Sequence, residues 1–262
     1  MVKNLNITAI VQARVTSVRY PGKVLKKIKK KSLVEILYLR LKKSKYLKKI
    51  IFAIPKRKEE IKLKKLLTKK KINFFEGSKY DVLDRYYKCA SKNNSDIIIR
   101  ITGDCPIIDA RLIDKGISLF LKKNNKFSIL TNYLPPTFPN GVDFSIFTLD
   151  GLLHTWKKAG SNYEKEHVVP YMLKSKKFKK YVIKNKINYS DIRITVDEVE
   201  DLIVVRKVFD HFRNIYFGWE KVIKIWEEKR EIFKYNKHLL RDEGSKMTYS
   251  QKIKRRKKFR KN

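Results

Sequence analysis

Short apolar runs alternate with amphipathic stretches through the first two-thirds of the chain, and this order constrains the fold more than any other feature. Residues 7–12, 49–55 and 96–102 have the composition of buried strands, and the segments between them space their apolar residues as helices do. Strands that alternate with helices are typical of βαβ units. We therefore predict an α/β fold, with a Rossmann-like, mostly parallel sheet and helices on both faces, in a single domain.

The same patterns place the remaining elements. Ser32 is a predicted N-cap for a helix over 32–43, in which Arg40 is expected on the solvent side. Pro55 is expected to end the second strand. Further helices are predicted at 81–92, 109–123, 149–159, 163–174, 198–212 and 219–233, and further strands at 72–75, 127–132, 142–147, 178–187 and 191–196.

Composition limits the class of protein. The chain has no run of about 18 apolar residues, so no membrane span is expected. It begins with a short apolar strand and not with a signal peptide, and its two cysteines, Cys89 and Cys105, lack zinc-like spacing. We expect a cytoplasmic protein without disulfides. Residues 1–243 are predicted to form the domain, and 244–262, with nine basic residues and no acid, a disordered basic tail.

The net charge of +38 raises the question of nucleic-acid binding. Only 15 of the 64 basic residues are Arg, and the chain is also rich in Ile, Asn, Tyr and Phe, a mixture that an AT-rich genome encodes. Lysines lie on every predicted helix and not along one face. We interpret most of the charge as solvated lysines, which still attract polyanions such as nucleotide triphosphates. A selected polyanion-binding surface is the alternative.

The loop after the first strand carries the first candidate site. Arg14, Ser17, Arg19 and Lys23 lie within ten residues, around a Pro-Gly turn. Converging Arg side chains, a Lys and backbone N–H groups are suited to a triphosphate. Two Arg in a chain that otherwise prefers Lys indicate that these positions require the directed hydrogen bonds of a guanidinium and not only a positive charge. A solvated basic loop is the structural alternative, and neither a Walker A nor a GxGxxG pattern is present.

Two acidic strand ends complete the set. Asp104 follows a strand and Gly103, and Asp197 follows the predicted strand 191–196. Carboxylates at strand ends can bind Mg²⁺. Turn formation at Asp104 and helix capping at Asp197, with Glu200 and Asp201 complementing the helix dipole, explain the same residues without a ligand.

Five motifs in this order resemble the cytidylyltransferases that activate acidic sugars. The opening Arg-x-x-Ser-x-Arg-x-Pro-x-Lys pattern over 14–23 is similar to that of CMP-KDO and CMP-sialate synthetases. A closer resemblance, over about residues 5–215, is to the branch of the spore coat polysaccharide biosynthesis protein SpsF. It is carried by QAR at 12–14, YDVLDRYY at 80–87, RITGDCP at 100–106, EHVVP at 166–170 and TVDE at 195–198.

The resemblance implies a nucleotide-diphospho-sugar transferase type of fold and transfer of CMP from CTP to an acidic sugar of the 2-keto acid type. Pyrophosphate is released, and Mg²⁺ is the cofactor. Asp104 and Asp197 are then the metal ligands, and they act in catalysis with Arg14 and Lys23. Nucleotide binding is expected from Gln12, Ala13, Arg14, Ser17, Arg19, Lys23, Arg100 and Thr102.

The acceptor side is predicted from residues 130–190, which we expect to form an acceptor lobe and a possible homodimer contact. Its candidate residues are Asn132, Asp143, Glu166 and His167. A core role satisfied by a neighbouring carboxylate is the alternative for His167. Two other functions stay open: a glycosyltransferase of the same fold, and a polyanion-binding protein. No motif for specific nucleic-acid recognition is present.

Overall fold

The computed structural model describes residues 5–123 and 125–241. Its strands are β1 (Ile7–Gln12), β2 (Lys27–Ile28), β3 (Lys31–Ser32), β4 (Lys49–Pro55), β5 (Phe74–Gly77), β6 (Ile97–Thr102), β7 (Ser128–Thr131), β8 (Ser145–Thr148) and β9 (Lys179–Val182). The longer strands β1, β4 and β6 coincide with apolar runs of the sequence. The predicted tail over 244–262 lies outside the described residues.

One seven-stranded sheet has the order β5-β4-β1-β6-β8-β7-β9. The pairs β1–β4, β1–β6, β4–β5 and β7–β9 are parallel, and β8 alone runs antiparallel to its neighbours β6 and β7. The short strands β2 and β3 form a separate hairpin. The predicted α/β fold with a mostly parallel sheet is confirmed.

Helices cover both faces of the sheet, because successive strand residues point to opposite faces. In β1, Ala9 and Val11 join the core on one face and Ile10 joins the core on the other. The helices are α1 (Leu33–Leu41), α2 (Ile61–Lys69), α3 (Val82–Lys92), α4 (Ala110–Lys123), α5 (Leu149–Lys158), α6 (Asn162–His167), α7 (Pro170–Lys174), α8 (Val199–Asp210) and α9 (Trp219–Glu228). A 3₁₀ segment, Arg230–Asn236, follows α9.

Several predicted elements differ from the structure: the strand predicted at 178–187 is limited to β9, and the helix predicted at 219–233 ends at Glu228. The helix over 163–174 is broken into α6 and α7, since Pro170 cannot continue a helix and Val168 takes a φ of 71°. Of the predicted strand 191–196, residues 192–196 are buried but form no strand; Arg193 pairs with Asn140 in an isolated bridge. A bilayer-spanning helix is absent from the described part of the chain. Both cysteines are free, as predicted.

Helix α1 confirms one prediction and overturns another. Ser32 caps it: the Ser32 side chain accepts from the Glu35 N–H, and the Glu35 carboxylate accepts from the Ser32 N–H. Arg40, however, is buried and not on the solvent side. Its guanidinium donates to four main-chain carbonyls brought together by tertiary packing, those of Ile107, Ile108, Ile215 and Phe217.

We expect Arg40→Met to lower the free energy of unfolding by about 3 kcal/mol, because it strands several buried carbonyl groups. Urea unfolding followed by circular dichroism measures the effect. Arg213→Met is the matched control, since Arg213 is exposed and its loss is expected to change stability by no more than about 0.5 kcal/mol. Equal stability of the two variants would contradict this role for Arg40.

Candidate active site

The carboxyl ends of β1 and β6 bring the first two predicted groups together. The two strands are parallel neighbours, so the loops that follow them emerge side by side. The Gly103 N–H donates to the Gln12 carbonyl over 2.8 Å. A Cβ at Gly103 would lie only 2.9 Å from the Ala13 Cβ, so the close approach requires glycine. Asp104 is thereby placed beside the basic loop.

The segment before α8 joins the same edge. The Val196 N–H donates to the Asp104 carbonyl at 2.8 Å, and the Thr195 hydroxyl donates to it at 3.2 Å. This segment is held from its other side by Gly141, at a φ of 123°, where a Cβ would lie 2.6 Å from the Thr195 nitrogen. Asp197 therefore arrives beside Asp104 without a sheet connection between them.

Lys23 connects the two carboxylates. Its Nζ lies 2.8 Å from Asp104 Oδ2 and 2.8 Å from Asp197 Oδ1. Arg19 also pairs with Asp197 Oδ1, at 2.7 Å. Glu198, and not Asp197, is the N-cap of α8, so the capping interpretation of Asp197 is wrong. The structure thus brings together four predicted site residues, the carboxylates of Asp104 and Asp197 and the cations of Lys23 and Arg19.

The charges in this cluster reinforce one another. Burial raises the pKa of the Asp197 carboxyl, but Lys23, Arg19 and Arg193 more than offset this, and the pKa lies well below its usual range. Burial alone would lower the pKa of Lys23. The nearby carboxylates of Asp104 and Asp197 raise it by more than burial lowers it, so the net shift is upward. Burial raises the pKa of the neighbouring Cys105 thiol well above its ordinary value, and Asp104 and Asp143 add to this. A Cys105 thiolate nucleophile does not fit this environment.

The two carboxylates fit a magnesium site in which phosphate oxygens of the substrate complete the coordination shell. Asp104 and Asp197 direct one oxygen each at a common point, now marked by the Lys23 ammonium. Among the described residues no cluster of three or more His, Cys, Asp or Glu forms a full protein cage. Mg²⁺ is commonly held by one or two carboxylates together with phosphate oxygens and water, which matches this donor set.

In the rest of the basic loop, Arg14 is available to a ligand, whereas Ser17 and the residues after Arg14 make contacts within the protein. Arg14 is exposed and makes no hydrogen bond or ion pair with the described residues. Ser17 is internal to the loop, where its hydroxyl accepts from the Tyr20 N–H at 3.4 Å. The sequence did not single out Glu60, whose carboxylate is 1% exposed and accepts from the Val15 N–H at 2.7 Å and the Thr16 hydroxyl at 3.3 Å. Glu60 therefore fixes the loop just after Arg14.

Neighbouring strand positions carry polar atoms without partners. Gln12 Oε1 and Arg100 Nε are buried and unbonded within the described residues. Thr102 contacts the Cys105 sulfur at 3.2 Å, and Ala13 is buried below the loop. Buried polar atoms normally have partners, so the unpartnered atoms of Gln12 and Arg100 are compatible with contact to a ligand.

The predicted acceptor residues separate into different environments. Asn132 is fully buried: its amide donates to the Val142 carbonyl and accepts from the Phe144 N–H, both at 2.9 Å. It has no exposed atom for an acceptor and holds the connection between β7 and β8. Asp143 pairs with Arg241 and lies close enough to Cys105 to affect its pKa. Glu166 and His167 are on α6, which packs against α3.

Comparison with known proteins identifies the family to which the chain is similar. The family model described as cytidylyltransferase matches residues 8–251. Protein MJ1063 of Methanocaldococcus jannaschii is 34% identical over 90% of this chain and 96% of its own length. The spore coat polysaccharide biosynthesis protein SpsF of Bacillus subtilis is 31% identical over 48% of this chain and 55% of its own length.

A solved structure shows the same fold over nearly its full length. A cytidylyltransferase from Leptospira borgpetersenii serovar Hardjo-bovis superposes with a TM-score of 0.85 at 31% identity, covering 88% of this chain and 98% of that one. The family expected from the five motifs is confirmed. The chain belongs to the cytidylyltransferase family of nucleotidyltransferases.

Proposed function

We propose that this protein transfers CMP from CTP to a hydroxyl of an acidic, 2-keto acid type sugar, for the synthesis of a surface polysaccharide or glycan. The acceptor hydroxyl gives up its proton to water as its oxygen forms a bond to the α-phosphorus, the bond from that phosphorus to the bridging oxygen breaks, and pyrophosphate leaves. The observation that carries the proposal is the convergence of Asp104 and Asp197 on one cationic point at the end of the basic loop.

The chain's own residues supply charge and position. Arg14 has no protein partner among the described residues and is available to a phosphate. Arg19 and Lys23 now pair with carboxylates and exchange these for phosphate oxygens when the triphosphate binds. Mg²⁺ held by Asp104 and Asp197 would neutralise charge on the phosphate oxygens. Gln12 and Arg100 offer their unpartnered atoms to the nucleoside.

Asp143, Glu166 and His167 remain our candidates for the acceptor. Asp143 lies close enough to Cys105, the neighbour of Asp104 in sequence, to raise the pKa of its thiol. The match to SpsF, a protein named for polysaccharide biosynthesis, supports a sugar acceptor. The resemblance of residues 14–23 to acidic-sugar synthetases supports the acidic class.

The first experiment compares CTP, UTP, ATP and GTP by thermal shift, each with and without Mg²⁺. A ligand that binds only the folded state raises the melting temperature by mass action. We expect a shift specific to CTP and larger with Mg²⁺, followed by pyrophosphate release when 2-keto acid sugars are added. Equal small shifts with all four nucleotides favour the polyanion-binding alternative. Turnover of a nucleotide sugar without pyrophosphate favours the glycosyltransferase.

Asp104→Asn and Asp197→Asn are each expected to lower kcat at least about a hundredfold, because each removes charge that stabilises the transition state. Asp191→Asn is the matched control, since Asp191 is exposed and close in sequence to Asp197. Coupled detection of pyrophosphate measures the rates, and circular dichroism checks folding. Near-normal turnover of either site variant contradicts the metal assignment.

Arg14→Ala is expected to reduce kcat/KM for CTP about tenfold to a hundredfold, the value of one or two charge-assisted hydrogen bonds. Stability is expected to stay within about 0.5 kcal/mol, since Arg14 is exposed. Lys58→Ala removes one exposed positive charge from the loop after β4 and controls for general attraction of CTP. Similar losses in both variants would show that Arg14 acts only through net charge.

A further inference from the structure

A buried hydrogen-bond network lies behind Asp197, on the side away from Lys23. Its central pair is Arg193 and Asp201, whose side chains are 6% and 0% exposed. The Arg193 Nε donates to Asp201 Oδ1 at 2.8 Å, and its terminal nitrogen donates to Asp201 Oδ2 at 2.9 Å. A two-point pair of this kind fixes the orientation of both side chains.

This pair holds Asp197 by its side chain and by its backbone. The Arg193 terminal nitrogen also donates to Asp197 Oδ2 at 3.2 Å, and Asp201 Oδ2 accepts from the Asp197 N–H at 2.9 Å. Since Arg193 engages Oδ2, it is Oδ1 that Asp197 directs at Lys23 and at the point shared with Asp104. The pair therefore fixes the orientation of the Asp197 carboxylate, with one oxygen directed at the site.

The third member comes from the far end of the described chain. Asn236 is 2% exposed and ends the 3₁₀ segment Arg230–Asn236. Its side-chain amide nitrogen lies 2.9 Å from Asp201 Oδ1 and 3.1 Å from the Arg193 carbonyl and donates to both. The same stretch of chain supplies the Leu240 carbonyl, which accepts from Arg193 at 3.3 Å.

We infer that Asn236, acting through Asp201 and Arg193, is a positioning residue that holds Asp197 in the one-oxygen orientation needed to bind the divalent metal. The inference rests on the metal assignment in the proposed function. It makes the 3₁₀ segment Arg230–Asn236 part of the active-site machinery. A purely structural Asn236 would support packing of the C-terminal segment without affecting metal affinity.

The test measures Mn²⁺ binding to the full-length protein without CTP, from the loss of the free-ion electron paramagnetic resonance signal, because CTP itself binds Mn²⁺ and removes that signal. Asn236→Ala is preferred to changes at Arg193 or Asp201, because breaking a buried ion pair endangers folding. Phe233→Leu is the matched control: Phe233 is 7% exposed in the same 3₁₀ segment, and its trimming loosens packing there.

We expect Asn236→Ala to weaken Mn²⁺ binding about tenfold and to lower kcat by a similar factor, while the KM for CTP changes less than threefold. Phe233→Leu is expected to lower the melting temperature without changing Mn²⁺ affinity. If Asn236→Ala and Phe233→Leu both bind Mn²⁺ with the affinity of the unaltered protein, while Asp197→Asn has lost binding, the role of Asn236 is overturned. The proposed function is left standing by that result. Mn²⁺ binding that survives both Asp104→Asn and Asp197→Asn overturns the metal assignment, and this inference with it.

Discussion

The ion pairs between Lys23 and the carboxylates of Asp104 and Asp197 are the interaction on which the site depends. The partners come from three separate parts of the chain, and all three are largely shielded from water. Two carboxylates brought this close repel each other unless a cation lies between them. The Lys23 ammonium therefore offsets the repulsion between the two carboxylates and stabilises the geometry on which the proposed metal site depends.

The sheet supplies only part of that geometry. Parallel pairing of β1 with β6 makes the proximity of Asp104 to the basic loop a direct consequence of topology. Asp197 has no such constraint, because the segment before α8 is not a strand. Its position depends on hydrogen bonds to the Asp104 carbonyl, on the tight contact at Gly141, and on the Arg193–Asp201 pair. Polar contacts therefore position Asp197, whereas strand pairing positions Asp104.

This division explains what could be predicted from the sequence. Strand and helix types follow from local apolar periodicity, and the order of motifs placed Arg14, Lys23, Asp104 and Asp197 at loops that follow apolar runs. Local pattern fails where distant chain segments converge. Arg40 occupies a helix position that looks exposed, yet four carbonyls from two other segments surround it. Asn236 is an unremarkable polar residue until the fold places it against Asp201. The broken helix at Pro170 is different, since its signal was present in the sequence and was outweighed by periodicity.

The distribution of Arg and Lys separates two kinds of positive charge. One kind follows from the overall composition of the chain, and the other holds oxygen atoms in fixed directions. Most of the excess positive charge is Lys, spread over the surface of the helices. Arg40 and Arg193 instead use the planar guanidinium fork to engage several oxygens at once, which a Lys ammonium does less well. Arg19 contacts the site carboxylate, while Arg14 has no protein partner among the described residues. In a chain in which composition favours Lys, Arg residues in such positions identify where oxygen atoms must be held in fixed directions. By that criterion the loop over 14–23 fits the triphosphate of the proposed reaction, and the surface lysines would raise the local concentration of that anion without recognising it.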